Sequence, residues 1–510
     1  MKRICYILLF FTIAFSAVSK EKLRFAADAE SGAPYVFYDP KSPTKLVGFE
    51  IQIINEIASE LGMETEFIQN QWDGLIPGLS RNNYDVVING LEITEERKKE
   101  VAFSIPYYLT YEQIVVRKDY TGIETLSDMT GKKVGTLEGS LAERIMRDYG
   151  GIDVRTYDSE ANSYTDLENH RLDAVLIDAP VALYYASWNP QLKLVGDPIG
   201  EVSYGIVLRK EDKKLLSQIN NALRSIIQDG RLRKILDEWN LWNGTMAVYY
   251  SDPTPSNTLP SKYNDYLESQ GRDISFSERL ERYWSFMPLF ADAAWMTLQL
   301  SILAMIVAIV MGLVLALIRI YAPFPFSGLA VVYIEIIRGT PLLIQLFFIY
   351  FALPMMGINL PRFAAAVVAL GLNYAAYEAE IYRAGLFAVP KGQMEAAISL
   401  GLTRRQSIRH IILPQAFRIV LPPITNDFIS LLKDSSLVSV IALVELTKLY
   451  GVLAATYFDY IGIGIIIAAI YLLLGLPFVK LSKIAENKFA SVTNENKVKG
   501  MSKYFGKKHR

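Results

Sequence analysis

Cysteine is almost absent from this chain of 510 residues, since Cys5 is its only example. That residue lies inside an apolar leader, so the rest of the chain can form no disulfide, thiolate metal site or thiol nucleophile. Basic and acidic residues almost cancel, 52 against 53, which gives no reason to expect a nucleic acid partner. The phosphate-binding pattern Gly-x-x-x-x-Gly-Lys-Ser/Thr does not occur, so we expect no ATP hydrolysis by this chain alone and no cofactor or metal of its own.

Apolar residues make up 51% of the sequence, but they are unevenly distributed. Residues 20–285 are mixed and polar, whereas 286–480 carry most of the long apolar runs. The length predicts two or three domains. The chain therefore divides into a polar half and an apolar half suited to a membrane.

The first 19 residues have the pattern of a secretory signal peptide. Lys2 and Arg3 precede the apolar run 4–15, and small residues at 16–19 suit cleavage. An uncleaved anchor helix is the alternative, although the run is shorter than the ~20 residues that span a bilayer. In either case the following domain is exported.

Residues 20–242 are predicted to form an α/β domain. Short apolar strands at 23–27 and 85–89 alternate with helical patterns at 49–61 and 213–227, which favours layered helices and largely parallel strands. Prolines and small polar residues at 251–260 predict an irregular connector. We assign 243–285 to a linker, with an amphipathic interfacial helix at 277–284.

The segment 286–485 is predicted to be an all-α membrane domain, followed by a basic cytoplasmic tail at 486–510. Its five membrane-length apolar stretches lie near 291–317, 329–353, 363–383, 419–444 and 460–480. Basic residues concentrate in the loop after the third stretch and after the fifth, while the loops near 354–361 and 446–459 carry almost none. The positive-inside rule therefore places the amino terminus outside and the carboxyl terminus inside, in agreement with the exported first domain.

A helical elbow is predicted on the cytoplasmic side of this domain. Glu395 begins a short helix-forming segment, and Gly401 suits its left-handed carboxyl-terminal cap. Thr403 and Gln406 have the spacing of a capping box that starts a second helix, which we expect Pro414 to close.

With this elbow, residues 286–480 resemble the permease subunits of bacterial ABC importers. The EAA loop of that family has the spacing of Glu395, Ala396, Ala397, Gly401 and Pro414, and the resemblance implies that these residues couple to a separate ATPase subunit. Further segments look like the polar amino-acid branch of the family, namely 338–341, 372–380, 389–393 and 432–437. One such loop per chain implies a second permease subunit, expected to give a homodimer.

Charged residues inside the third apolar stretch have two interpretations. Charges within a bilayer are costly and usually face a cavity or a partner. Glu378 and Glu380 could line the path of a zwitterionic substrate, or they could pair with a neighbour such as Arg383 to fix helix packing. Both interpretations stay open at the level of sequence.

Residues 23–240 resemble the periplasmic amino-acid-binding proteins, which close two α/β lobes around a ligand. The fold expected for the chain is thus a two-lobed binding protein followed by the transmembrane domain. The resemblance implies ligand contacts at eight positions, namely Asp28, Trp72, Asn89, Gly90, Arg97, Gly139, Ser140 and Asp178.

The chemistry of an amino acid explains several of these residue types. A guanidinium binds a carboxylate through two parallel hydrogen bonds, so Arg97 is the predicted clamp for the α-carboxylate. Thr94 is predicted to cap the helix that holds Arg97. Asp178 would receive the α-ammonium, Trp72 would stack on the ligand side chain, and Ser140 would complete the carboxylate site from the second lobe.

Glu92 occupies a position where many relatives of this type have serine or threonine. Together with Asp28 it adds negative charge near the cleft beyond what a zwitterion balances, and unpaired buried carboxylates are expensive. A ligand with an extra positive charge, such as arginine, lysine, ornithine or histidine, would offset that charge.

The sequence thus predicts a binding and permease subunit of an ABC importer for basic or polar L-amino acids, located in the cytoplasmic membrane with an extracytoplasmic binding domain. It is not predicted to be an enzyme. The alternatives are a ligand-gated ion channel, which shares the two-lobed fold, and an exported enzyme built on that fold.

Overall fold

The computed structural model describes residues 21–30, 32–256, 258–270, 275–457 and 459–505, with side chains to 484. The leader prediction lies outside these residues. Lobe 1 contains a five-stranded sheet in the spatial order Glu64–Gln69, Lys22–Ala27, Val86–Val87, Val207–Leu208, Ala102–Phe103. The first three strands are parallel and the last two pairings are antiparallel, so the sheet is mixed. Its helices are Phe49–Glu60, Leu75–Ser80, Lys213–Gln228 and Arg231–Glu238.

Lobe 2 has a second five-stranded sheet in the order Leu192–Tyr204, Tyr108–Arg117, Ala174–Asp178, Lys133–Leu137, Asp153–Tyr157. Its helices are Leu141–Tyr149, Glu160–Glu168 and Ala179–Ala186. The strand Ala174–Asp178 is antiparallel to Tyr108–Arg117, and the register places Asp178 directly opposite Glu112. The register therefore brings two acidic side chains together at the end of these strands.

The chain passes between the lobes twice, near residue 105 and again near 205. Both passages are short, and the lobes share one apolar core that includes Phe49, Tyr108, Tyr204 and Trp239. The prediction of strands and helices at 23–27, 49–61 and 213–227 is confirmed to within a residue or two. The short hairpin Phe37–Asp39 and Ser42–Val47 adds a third, two-stranded sheet.

Part of the predicted linker packs against the binding domain. The helices are Gly244–Tyr249 and Ser261–Gln270, and they contribute Met246 and Tyr266 to the core of the lobes. The Tyr266 ring contacts Phe37 edge-on, with centroids 5.8 Å apart. The next helix, Phe276–Ser285, begins at a Ser275 capping box and buries no side chain, and its position at the membrane interface stays a prediction.

The membrane half is entirely helical among its described residues. Its longer helices are Met287–Tyr321, Phe326–Gly339, Arg362–Ala388, Leu413–Asp434, Leu446–Tyr457 and Tyr460–Phe505. By length and apolar character, two described helices could each cross a membrane, namely Met287–Tyr321 and Tyr460–Ile484. Two bent pairs, broken by 111° after Gly339 and by 55° after Ile441, raise that number to as many as four. Five crossings stay a prediction.

The elbow contains both predicted caps. Gly401 has a φ of 84°, and Thr403 and Gln406 form the capping box in both directions. The expectation that Pro414 closes the second helix is wrong. The helix starting at Arg404 widens into a π-helical turn at Ile408–Ile412 and continues as Leu413–Asp434, with Pro414 in its first turn. The π-helical turn changes the backbone hydrogen-bond pairing just before Pro414, so the helix continues past a residue that has no N–H to donate.

Lobe 1 lies against the permease domain. The Arg81 guanidinium donates to the carbonyl oxygen of Tyr350 at 3.1 Å and lies 4.2 Å from the centre of that ring. Arg362 donates to the Gln69 carbonyl oxygen at 2.5 Å, and the Tyr457 hydroxyl donates to the Asp39 carbonyl oxygen at 3.2 Å.

Candidate functional site: the cleft between the lobes

A cavity between the two lobes brings together most of the predicted ligand residues. Six of the nine predicted positions line it, namely Trp72, Asn89, Gly90, Glu92, Ser140 and Asp178. The sequence did not identify the other lining residues, which are Tyr35, Glu112, Leu137, Ala142, Glu160 and Ile177. The cavity therefore combines aromatic and aliphatic walls with four carboxyl groups, those of Glu92, Glu112, Glu160 and Asp178.

Asp28 supports this cavity from behind rather than lining it. One of its carboxylate oxygens accepts the backbone N–H of Trp72 at 3.0 Å, and the other accepts Gln69 Nε2 at 2.8 Å. The Asp28 backbone N–H donates to the side-chain oxygen of Asn89. Asp28 thus fixes the turn that presents Trp72, whose indole N–H donates across the cleft to the Glu138 carbonyl oxygen at 3.1 Å.

Arg97 lies at the edge of the cavity and is engaged by Glu92. The two side chains form an ion pair, and Glu92 is almost completely buried. A second guanidinium, that of Arg144, lies 4.0 Å from Glu92. One Glu92 oxygen also accepts the Leu141 backbone N–H at 3.0 Å, at the start of the helix capped by Ser140. Two cations and one carboxylate leave a local net charge of +1, which suits a ligand carboxylate.

The predicted local support of Arg97 is present in a shorter form. The Thr94 hydroxyl accepts the Arg97 backbone N–H at 3.1 Å, but the element that follows is only the 3₁₀ turn Arg97–Lys99. Arg97 also donates to the Gly139 carbonyl oxygen of lobe 2 at 3.3 Å. Gly139 itself has a φ of 70°, a conformation that favours glycine.

The opposite side of the cavity is acidic. Asp178 and Glu112 face each other across neighbouring strands, and the Tyr35 hydroxyl donates to Asp178 at 3.1 Å. Burial raises the pKa of Asp178, and burial together with the charge of Asp178 raises the pKa of Glu112 far above its usual range. Like charges directly opposite each other destabilise a sheet, so Glu112 keeps its proton at neutral pH while no cation lies near, and only its ionised form would repel Asp178. A cation placed between them would offset that repulsion.

Glu160 adds a third acidic group to this side. It begins the helix Glu160–Glu168, and burial raises the pKa of its carboxyl well above the usual value. No hydrogen bond to Glu160 Oε2 occurs among the described residues. A sequence signal existed for Glu112 alone, because it is a lone carboxylate within the apolar strand Tyr108–Arg117.

Comparison with known proteins assigns each half to a family. Residues 23–241 match the bacterial extracellular solute-binding proteins of family 3, and residues 288–490 match the inner membrane component of binding-protein-dependent transport systems. The ABC transporter arginine-binding protein 1 of Escherichia coli is 32% identical over 245 residues, covering 47% of this chain and 99% of that protein. The chain is a family 3 solute-binding protein fused to an importer permease. It belongs to the amino-acid transport proteins, as the sequence motifs implied.

Relatives of the permease half lead to the same family. The arginine transport system permease of Bacillus subtilis is 40% identical over 207 residues, covering 40% of this chain and 94% of the relative. The L-cystine transport system permease of the same organism is 42% identical over 185 residues, covering 36% of this chain and 79% of that relative.

Among solved structures, an ancestral arginine-binding protein bound to arginine is similar to the binding half. It is 39% identical, with a TM-score of 0.41, and the match covers 43% of this chain and 99% of that one.

The charged groups of the permease half differ in their surroundings. Glu380 pairs with Arg319 of a neighbouring helix and with Arg383 at 2.7 Å, which favours the packing interpretation for this residue. Glu378 is fully buried and packs closely against Gly312 of the neighbouring helix. A Cβ atom added to Gly312 would lie only 2.6 Å from the Glu378 Cβ, so no side chain fits at Gly312. No ion pair to Glu378 occurs among the described residues, so it alone keeps the interpretation of a path residue.

Proposed function

We propose that this fused receptor and permease imports cationic amino acids such as arginine, lysine, ornithine or histidine. The observation that carries the proposal is the charge of the cleft. Glu92, Glu112, Glu160 and Asp178 line it, whereas the two arginines near them both lie beside Glu92. Arginine carries two positive groups and one negative group, so its carboxylate would suit the Arg97 and Arg144 side while its cationic groups would suit the acidic side.

Closure of the lobes over this ligand is the first step of the proposed cycle. The described contacts already join the lobes through Trp72 to Glu138, Arg97 to Gly139 and Tyr35 to Asp178. These contacts surround the cavity, so a bound ligand would add its own bonds to both lobes and favour the closed arrangement.

We further propose that a separate ATPase drives transport through the elbow and that two permease halves pair. Glu395 and Ala396 are exposed while Ala397 is buried, and the elbow presents Ile398 and Leu400 with 50% and 82% of their surfaces exposed. Exposed apolar side chains on a rigid elbow suit docking to another protein. Pro414 lies within the continuing helix, so a movement of the elbow would be transmitted directly to Leu413–Asp434.

The ligand proposal is tested by calorimetric titration of the purified full chain with arginine, lysine, glutamine and cystine. We expect arginine or lysine to bind most tightly. Glu112→Gln should weaken arginine binding at least tenfold, because the amide cannot ionise in response to the ligand cation as the carboxyl group can, while the exposed control Glu96→Gln should not. Arginine affinity should also fall as the pH is lowered, since protonation of the acidic side removes its charge. Tighter binding of glutamine or cystine than of arginine would overturn the cationic class.

A further inference from the structure

Lys448 is a buried lysine of the permease that reaches the binding domain. It lies in the first turn of Leu446–Tyr457, and 2% of its side chain is exposed. Its ammonium lies 3.0 Å from Glu30 Oε2 of lobe 1, which is its one ion pair among the described residues. Glu445 fixes the start of this helix by accepting the Lys448 backbone N–H at 2.8 Å and the Tyr471 hydroxyl at 2.7 Å.

Glu30 is held in place by contacts on both sides. A Cβ added to Gly451 would lie 2.7 Å from Glu30 Oε1, so the absence of a side chain at Gly451 lets the carboxylate approach the helix. The Glu30 backbone N–H donates to Asp28 at 3.0 Å, and Asp28 in turn accepts the N–H of Trp72. The Lys448 contact is therefore two hydrogen bonds away from an aromatic residue that lines the ligand cavity.

Lobe 2 adds further negative charge at the same place. Asp158 of lobe 2 acts electrostatically on both Glu30 and Lys448, and Trp72 donates its indole N–H across the cleft to the Glu138 carbonyl oxygen of lobe 2 at 3.1 Å. Closing the cleft thus brings carboxylates of lobe 1 towards carboxylates of lobe 2, at the cost of mutual repulsion. A buried ammonium beside Glu30 offsets that repulsion more strongly as the carboxylates of lobe 2 approach.

We propose that Lys448 is a positioning residue that couples docking of the binding domain to closure around the ligand. The permease lysine neutralises the acidic junction of the two lobes, so the docked domain favours the closed state. This inference rests on the proposed function, since it concerns the same ligand cleft. Thermodynamic linkage makes this coupling reciprocal. If docking favours closure of the lobes around the ligand, then ligand binding must favour docking to the same extent.

The first test measures arginine affinity in the full chain reconstituted in lipid nanodiscs. Lys448→Met keeps the length of the side chain and removes its charge, so we expect the Kd for arginine to rise about tenfold, within the usual range of coupling between sites. Lys448→Arg should restore affinity to within about threefold. Lys433→Met makes the same change at an exposed lysine of the permease and should leave the Kd unchanged.

Exchange of the two charges separates this role from a loss of folding. Glu30→Lys combined with Lys448→Glu should bind arginine more tightly than either single variant. A Kd for Lys448→Met equal to that of the unmodified chain would overturn the inference. If the unmodified chain prefers a neutral amino acid, the cationic proposal fails, and the same variants then test the coupling with that amino acid.

The second test measures docking directly and tests the reciprocity. Cysteines replace Asp39 and Tyr457, which meet across the interface away from Lys448, in a chain carrying Cys5→Ser. Bridging by a short bis-maleimide reports the docked state. We expect arginine to increase the bridging rate severalfold when Lys448 is present and to have no effect with Lys448→Met. An equal increase in both chains would contradict the coupling.

Discussion

Glu50 provides a quantitative test of the packing beneath the ligand cleft. This glutamate lies in the first turn of Phe49–Glu60 and is fully buried. Its Oε1 accepts the Gly90 backbone N–H at 2.6 Å and also the Tyr107 hydroxyl. No hydrogen bond to Oε2 occurs among the described residues. Burial raises the pKa of Glu50 from 4.5 to about 8, so the protonated acid predominates in the folded domain at neutral pH.

The sign of the effect follows from linkage. The folded pKa of Glu50 lies above the unfolded one, so the unfolded chain loses its proton first as the pH rises. The stability contributed by Glu50 is complete below pH 4.5 and is lost progressively up to about pH 8. A shift of this size corresponds to roughly 5 kcal/mol in the free energy of unfolding.

Glu50→Gln should remove this pH dependence. The amide keeps an acceptor for Gly90 and Tyr107 and cannot ionise, so the variant should gain stability over the unmodified domain as the pH rises from 5 to 8. Urea unfolding of residues 21–270, followed by tryptophan fluorescence, measures the difference. Arginine-binding relatives of this length are separate proteins, which supports use of the isolated domain. The exposed control Glu64→Gln should give no such change, and a Glu50→Gln difference that is constant with pH would refute the reasoning.

Three further outcomes are expected. Trp72→Ala should raise the Kd for arginine 10- to 100-fold, measured by calorimetry, because it removes the ring that stacks on the ligand. Trp72→Phe keeps an aromatic ring but loses the hydrogen bond to Glu138, so it should raise the Kd less than tenfold. Equal losses of affinity in the two variants would argue against stacking. Leu400→Asp places a charge on the exposed elbow, so it should abolish ligand-stimulated ATP hydrolysis by the ATPase subunit and leave arginine affinity unchanged. The control Leu259→Asp makes the same change at a linker residue that is 80% exposed, and it should leave both ATP hydrolysis and arginine affinity intact. Cleavage at a protease site inserted at 271–274 should make ATPase stimulation sensitive to dilution without changing arginine binding; insensitivity would show that docking does not depend on the tether.

Local features of the fold were predictable because they depend on neighbouring residues. The capping box of Thr403 and Gln406 and the left-handed Gly401 are set within a few residues of chain, and both are present. The strand Lys22–Ala27 and the helix Phe49–Glu60 follow from apolar periodicity alone. Pro414 was misjudged because the π-helical turn before it lets the helix continue, and no sequence pattern indicated that turn.

The candidate site was predictable only in part, because its charge depends on distant pairing. Asp178 and Arg97 could be proposed from motifs, but the position of Glu112 opposite Asp178 follows from the register of two strands 60 residues apart. The pairing of Glu92 with Arg97 needs both side-chain directions. Lys448 lies in a segment predicted to be a loop of low positive charge, which is instead the helix Leu446–Tyr457, and its role depends on contact between the two halves of the chain.

Fusion of the receptor to the permease changes what the docking contact must achieve. A separate binding protein has to find its permease by diffusion, whereas a short tether gives an effective concentration on the order of millimolar. The contacts of Arg81, Arg362 and Tyr457 therefore need to supply little affinity of their own. A weak interface can then be selective for one state of the domain, because a small electrostatic difference is a large fraction of its total free energy. Lys448, buried against Glu30 of lobe 1 and two hydrogen bonds from Trp72, is placed to supply that difference.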